Sequence, residues 1–359
     1  MKKSLLWFVI LIMSILTVAL FSLGGCKAAE EAEEATEEAA PAEEVAEEAK
    51  APEDYEIVMV VKLEGVAWFD NMRLGIQEFA KETGVNAYQI GADTADPASQ
   101  VALIEDLIAK GVDAILVVPN DPVALEPVFK KANADGILTF THEASNQKQV
   151  SFDIEAFDNV AYGRHMMDVM AKDMNYEGGY ACFVGHLTST THNEWVDGEI
   201  AQQKEKYPKM ELVCDRVEDR ENQQIDYEKA LELLKTYPNL KGIMGSAMCG
   251  VPGFALAIEE KGLIGKVAAY GTCLPSVAYD YLKSGSAKSI HFWVPADAGY
   301  VTCKVAWELL KGNEIKEGMD LGRPGYENIT IKMNQYGVPI IYGSAWKDVT
   351  LENIDEYDL

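Results

Sequence analysis

Tyr55–Phe69 reads YEIVMVVKLEGVAWF, and this stretch sets the fold class. Its apolar, largely β-branched run, Ile57-Val58-Met59-Val60-Val61, has the pattern of a strand buried on both faces, as in a parallel sheet. Lys62 follows at the strand's end, then Gly65 and two adjacent aromatics, Trp68 and Phe69, ahead of an amphipathic helix. Ligands of open α/β sheets sit beyond the carboxyl ends of the strands. A lysine and two rings therefore lie where a ligand would be held. The plainer reading, with both rings packed in the core, is weakened by their adjacency on what reads as a loop.

Downstream the same alternation repeats. Strands are expected at 87–90, 114–118, 137–140 and 150–152. The helices between them carry apolar stripes such as Met72, Ile76 and Phe79, or Val101, Ile104 and Ile108. Asp121-Pro122 reads as a helix N-cap followed by proline at the first helical position, and Pro127 should bend or restart that helix. The pattern restarts with a helix over 159–174 and strands at 180–184, 212–216, 242–245 and 267–270. A further strand at 289–293, a helix at 298–311 and a strand at 338–342 follow. The fold class is therefore α/β, with two doubly wound, Rossmann-like lobes. Several strand ends carry polar or aromatic residues that would face one cleft: Thr141-His142-Glu143, Ser246 and Met248, Thr272, and Trp293. The hydroxyl-rich turn that includes Thr191, His192 and Asn193 caps a helix, faces the cleft, or does both.

The amino terminus reads as a targeting signal. Lys2 and Lys3 precede a long apolar run, and Leu23-Gly24-Gly25-Cys26 closes it. That tetrapeptide resembles a bacterial lipobox, which implies cleavage after residue 25 and lipid on Cys26, holding the protein to a membrane without spanning it. Residues 27–54 carry eleven Glu and one Asp against two Lys. Such a segment cannot bury a core and reads as a disordered leash.

The whole chain has a formal net charge of −27 over 359 residues, which repels nucleic acid. Apart from Cys26, the cysteines are odd in number and lack CxxC spacing, which argues against a disulfide framework or zinc site. They read as small buried hydrophobes, although Cys249 and Cys273 follow strands closely enough to be neighbours. The histidines show no metal-ligand spacing. There is no G-x-S-x-G elbow, Walker A, G-x-G-x-x-G or H-E-x-x-H motif. The chain therefore reads as a non-enzyme without cofactor or metal.

In order along the chain, Lys62-Leu-x-Gly-Val-x-Trp-Phe, Asp158-Asn159-x-Ala161-x-Gly163, Asn193-x-Trp195-Val196, Val251-Pro252, Gly271, Phe292-Trp293 and Asn353-Ile-x-x-Tyr357-Asp358 resemble the type I solute-binding proteins of ABC importers. The resemblance is to their sugar-binding branch, which includes the autoinducer-2 and rhamnose binders. It implies two lobes joined by a hinge and an ABC permease as partner; a tethered monomer is the default expectation. It also implies an extracytoplasmic place and lobes made of 55–152 plus about 289–313 and of 153–288 plus about 314–359. Lys62 matches the binding lysine of the autoinducer-2 proteins. Their acidic position falls on Thr141, His142 or Glu143, their Asp-Gln pair on Thr191-His192, and their Pro-x-Ala on Ser246 and Met248. Thr, His, Ser and Met beside two rings suit a neutral sugar or polyol, read by hydrogen bonds to its hydroxyls and by stacking on its apolar face. Autoinducer-2, a nucleoside, and sensing for a signalling partner are the alternatives.

Overall fold

The computed structural model describes residues 50–357 and 359. The expected signal peptide, Cys26 and nearly all of the acidic leash lie outside the described residues. The chain begins the first lobe with β1 (Glu56–Val61), α1 (Ala67–Thr83), β2 (Asn86–Gly91), α2 (Pro97–Lys110), β3 (Ala114–Val117), α3 (Pro122–Ala134), β4 (Leu138–His142) and β5 (Phe152–Glu155). β1 pairs in parallel with β2 and β3, and Ile57–Val61 are fully buried. Val58 and Val60 join the layer of Ile104, Leu125 and Phe129, whereas Ile57, Met59 and Val61 face the layer of Met72 and Ile76. A strand apolar on both faces is thus covered on both faces, at about 1.5–3 kcal/mol per large side chain.

The second lobe follows: α4 (Asn159–Asp173), β6 (Gly178–Val184), α5 (Thr190–Lys206), β7 (Met210–Leu212), β8 (Val217–Glu218), α6 (Gln223–Thr236), β9 (Leu240–Gly245), α7 (Gly250–Glu260), β10 (Ala268–Thr272), α8 (Pro275–Ser284) and β11 (Ala287–Phe292). After α9 (Pro295–Leu310) come β12 (Thr330–Met333), β13 (Pro339–Tyr342) and β14 (Lys347–Thr350). The two sheets run β12-β13-β5-β4-β3-β1-β2 and β14-β11-β10-β9-β6-β7, with β8 also on β6. Helix starts follow the expected chemistry. The Asp121 carboxylate accepts from Val123 and Ala124 ahead of Pro122, and Asp158 caps α4 by accepting from Ala161. α3 runs past Pro127 as one helix.

Three expectations are corrected. The strand near 289–293 does not return to the first lobe. It pairs in parallel with β10, Tyr270 opposite Ser289, and only α9 crosses back, to pack on α1 and behind β1, β3 and β4. The tail after 313 is divided between the lobes: β13 extends the first sheet in parallel to β5, Ile341 opposite Ile154, because β5 would otherwise leave an unpaired edge. Only β14 joins the second sheet, antiparallel to β11. Finally, the strand expected at 212–216 is two short pieces, β7 and β8, on either side of 213–216.

The chain therefore crosses between lobes three times, near 156–158, 293–294 and 343–346. The first and third crossings run side by side, Gly343 and Ala345 donating to the carbonyls of Glu155 and Ala156.

Candidate ligand-binding cleft

The carboxyl ends of both sheets face each other across a cleft with about 470 Å³ of empty space, its mouth included. Lys62, one residue beyond β1, is buried there. Its backbone is fixed from beneath. Gln100 of α2 donates to the carbonyls of Val61 and Val118 and accepts from the Asn120 N–H. The Asn120 side chain in turn donates to the Lys62 carbonyl.

The ammonium donates to Glu143 Oε2 at 2.9 Å and to Glu221 Oε1 at 3.3 Å. Burial opposes the charge, but the two carboxylates more than offset it and hold Lys62 protonated above the ordinary amine range. Glu143 belongs to the first lobe and Glu221 to the second, so one lysine ties the two together. Glu143 follows β4 with φ of 68° and Glu221 follows β8 with φ of 56°; both are non-glycine residues held in the left-handed region.

His192, in the first turn of α5, sits 3.3 Å from Lys62 Nζ through its Nε2. Its Nδ1 accepts from the Gly185 N–H at 3.1 Å, which assigns the remaining proton to Nε2. Burial, followed by the Lys62 charge, pushes its pKa well down, so the ring is neutral. Two donors, Lys62 and His192 Nε2–H, thus converge on one point, where a ligand oxygen would accept from both. Ser246 Oγ and Trp293 Nε1 are buried without a partner and line the same space. Thr272 also lines it, its hydroxyl 3.1 Å from the Tyr162 hydroxyl.

The walls are aromatic. Trp68 meets Trp293 edge-on at 4.6 Å, and Trp195 meets Trp293 at 5.8 Å. Trp195 is anchored by its indole N–H to Asn159 Oδ1 at 2.8 Å. Trp68 and Phe69 are not on a loop: they open α1, which begins earlier than its polar residues suggest, and both line the cleft.

Of the sequence-derived candidates, Lys62, Trp68, Phe69, Glu143, His192, Ser246, Met248, Thr272 and Trp293 come together here. Four point elsewhere. Thr141 donates to Asp153 Oδ1 at 2.7 Å. His142 bonds the Ile154 carbonyl through Nδ1 at 2.6 Å behind Trp293. Thr191 donates to Glu155 of the other lobe at 3.2 Å. Asn193 donates to the carbonyls of His186, Leu187 and Ser189, and the N-cap of α5, Ser189, makes no side-chain cap bond, so Asn193 neither caps the helix nor lines the cleft. In a strand successive side chains alternate faces, so Thr141 and His142 could not both point into the cleft with Glu143.

Glu221 falls outside the expected site because the strand expected at 212–216 stops short of β8; the polar run Asp219-Arg220-Glu221-Asn222 is the signal in the sequence that points to it. Cys249 also lines the cleft, and Cys249 and Cys273 are both free thiols.

The family described as the periplasmic binding protein domain matches residues 57–314. The D-allose-binding periplasmic protein of Escherichia coli K12 is 26% identical over 266 residues, 72% of this chain and 85% of that protein. The D-ribose/D-allose-binding protein of Pseudomonas aeruginosa is 25% identical over 279 residues, 74% of this chain and 85% of that protein. Among solved structures, LsrB from Clostridium saccharobutylicum in complex with AI-2 superposes with a TM-score of 0.79 at 20% identity, covering 85% of this chain and all of that one. A solute-binding protein of Burkholderia graminis in complex with D-arabinose gives 0.73 at 25%, covering 86% and 99%.

Proposed function

The chain belongs to the periplasmic binding protein domain family, and from that premise we propose that it is an extracytoplasmic receptor that captures a small neutral sugar or polyol between its lobes and delivers it to an ABC permease. The observation that carries this reading is the composition of the cleft. Donors (Lys62, His192 Nε2–H, Trp293 Nε1–H), acceptors (Glu143, Glu221) and hydroxyls (Ser246, Thr272) are interleaved among indole and phenyl faces. That is what a ring of hydroxyls with an apolar face requires. The Glu143–Lys62–Glu221 cluster leaves no unpaired positive charge, which disfavours an anionic ligand. Relatives named for D-allose and D-ribose support the same class.

The decisive experiment is a thermal-shift screen against pentoses, hexoses, deoxyhexoses, polyols, nucleosides and autoinducer-2, with calorimetry on hits. Ligand at 100 times Kd raises stability by about 2.7 kcal/mol. A sugar hit that is recovered unchanged is the expected result. A nucleoside or autoinducer-2 hit alone would overturn the sugar reading, and turnover of the ligand would overturn the receptor reading. We also propose that lipid on Cys26 tethers the receptor. Metabolic labelling with palmitate, lost in Cys26→Ser, is the expected outcome, and labelling that survives the substitution would refute it.

A further inference from the structure

Away from the cleft, three side chains from separate elements of the second lobe meet: His165 of α4, His291 of β11 and Asp348 of β14. His165 Nε2 lies 2.9 and 2.8 Å from the two Asp348 oxygens, and His291 Nδ1 lies 2.7 Å from Oδ1. The candidate ligand atoms all fall within 4.8 Å of one another. We propose that this triad binds a first-row divalent cation of the Zn²⁺ class, independently of the sugar site.

The donor set carries the choice of ion. Two imidazole nitrogens and one carboxylate oxygen suit zinc, cobalt or nickel, whereas calcium and magnesium prefer oxygen ligands alone. The ligands are also held in place beforehand. His291 is fully buried, and its Nε2 lies 3.3 Å from Ser289 Oγ. Against the Asp348 carboxylate Nδ1 carries the proton; metal binding would move it to Nε2, where the Ser289 hydroxyl can accept it, and so free the Nδ1 lone pair, the outer-shell arrangement that orients metal-binding histidines. The His165 ring lies flat against Trp346, at 5.6 Å and 20°.

The site is open on one side only. The His165 and Asp348 side chains are 31% and 42% exposed while His291 is sealed, so an ion can enter and water can complete its coordination. None of the three residues lines the sugar cleft. β14 starts directly after the third interlobe crossing, so the ion would staple that strand to α4 and β11 at the root of the hinge.

The test uses the full chain stripped with chelator and titrated with Co²⁺, read by its visible d–d absorption, and with Zn²⁺, read by calorimetry. One ion per chain is expected, with affinity at least about tenfold weaker in His165→Ala and Asp348→Asn. His186→Ala, a histidine outside the triad, should bind as the parent does. Absence of stoichiometric binding, or binding unchanged in both triad variants, overturns the proposal. Paramagnetic broadening by Co²⁺ in the unsubstituted chain gives a readout that does not depend on variant folding: the His165 and His291 imidazole resonances must broaden first, and selective broadening of other histidines would equally overturn it.

Discussion

Lys62 shows how much one residue can decide. A buried ammonium survives only when paired, and its partners come from opposite lobes, so the residue proposed to hold the ligand also reports whether the lobes are together. Lys62→Ala and Trp68→Ala are each expected to weaken sugar binding by at least about 1–2 kcal/mol by calorimetry; unchanged affinity in both would remove the cleft from consideration.

Glu199 poses a different residue-scale question. It is buried on α5, and burial pushes its carboxyl up to about 7 even though the Cys182 thiol donates to it at 3.0 Å. The folded state therefore keeps a proton that the unfolded chain releases near pH 4.5. The associated stability is complete below about 4.5 and is lost as pH rises through about 7, by up to about 3 kcal/mol. Glu199→Gln should flatten urea-denaturation stability over that window and raise it at pH 8. A parent-like pH profile in the variant would contradict this.

At the scale of elements, the cleft depends on helix pairs that touch at glycine. Gly163 of α4 rests directly on the Trp195 carbonyl of α5, and Gly198 of α5 rests on the Val160 carbonyl in return. A Cβ at Gly163 would fall inside the facing backbone, so Gly163→Ala must push α5 outward. The expected cost is about 2–3 kcal/mol in urea denaturation, with weaker ligand binding because Trp195 moves with its helix. A variant as stable as the parent would show that the pair can separate freely. In the sequence, Gly163 was visible only as part of a family pattern; the reason for it lies in the neighbouring helix.

At the scale of the molecule, the lobes meet through a series of polar contacts. Ser145 donates to Glu194 at 2.6 Å, Thr190 to Asn146 Oδ1 at 2.8 Å and Lys332 to Asp158 at 3.1 Å, beside the Thr191–Glu155 bond and the Lys62–Glu221 pair. Three short crossings connect the lobes, and a ligand bonded to both sides would bias the hinge toward closure. Small-angle scattering is expected to give a smaller radius of gyration with the ligand identified in the screen than without it. Identical curves would argue for a rigid cleft.

Reading the chain alone was enough to place the alternation of strands and helices, the doubly buried β1, and the polar residues that stand at strand ends. These follow from local periodicity and from a parallel sheet's need for cover on both faces. Most of the cleft was legible for the same reason, since Lys62, Glu143, Ser246 and Thr272 stand where strands stop. It took the packed molecule to show which face Thr141 and His142 take, that Glu221 reaches the lysine, and that β13 completes the first sheet while β11 stays in the second. Likewise His165, His291 and Asp348 are scattered along the chain and become neighbours only when α4, β11 and β14 pack. Periodicity fixes an element's own faces, but pairing between distant elements is set by which edges and surfaces remain uncovered once the rest has folded.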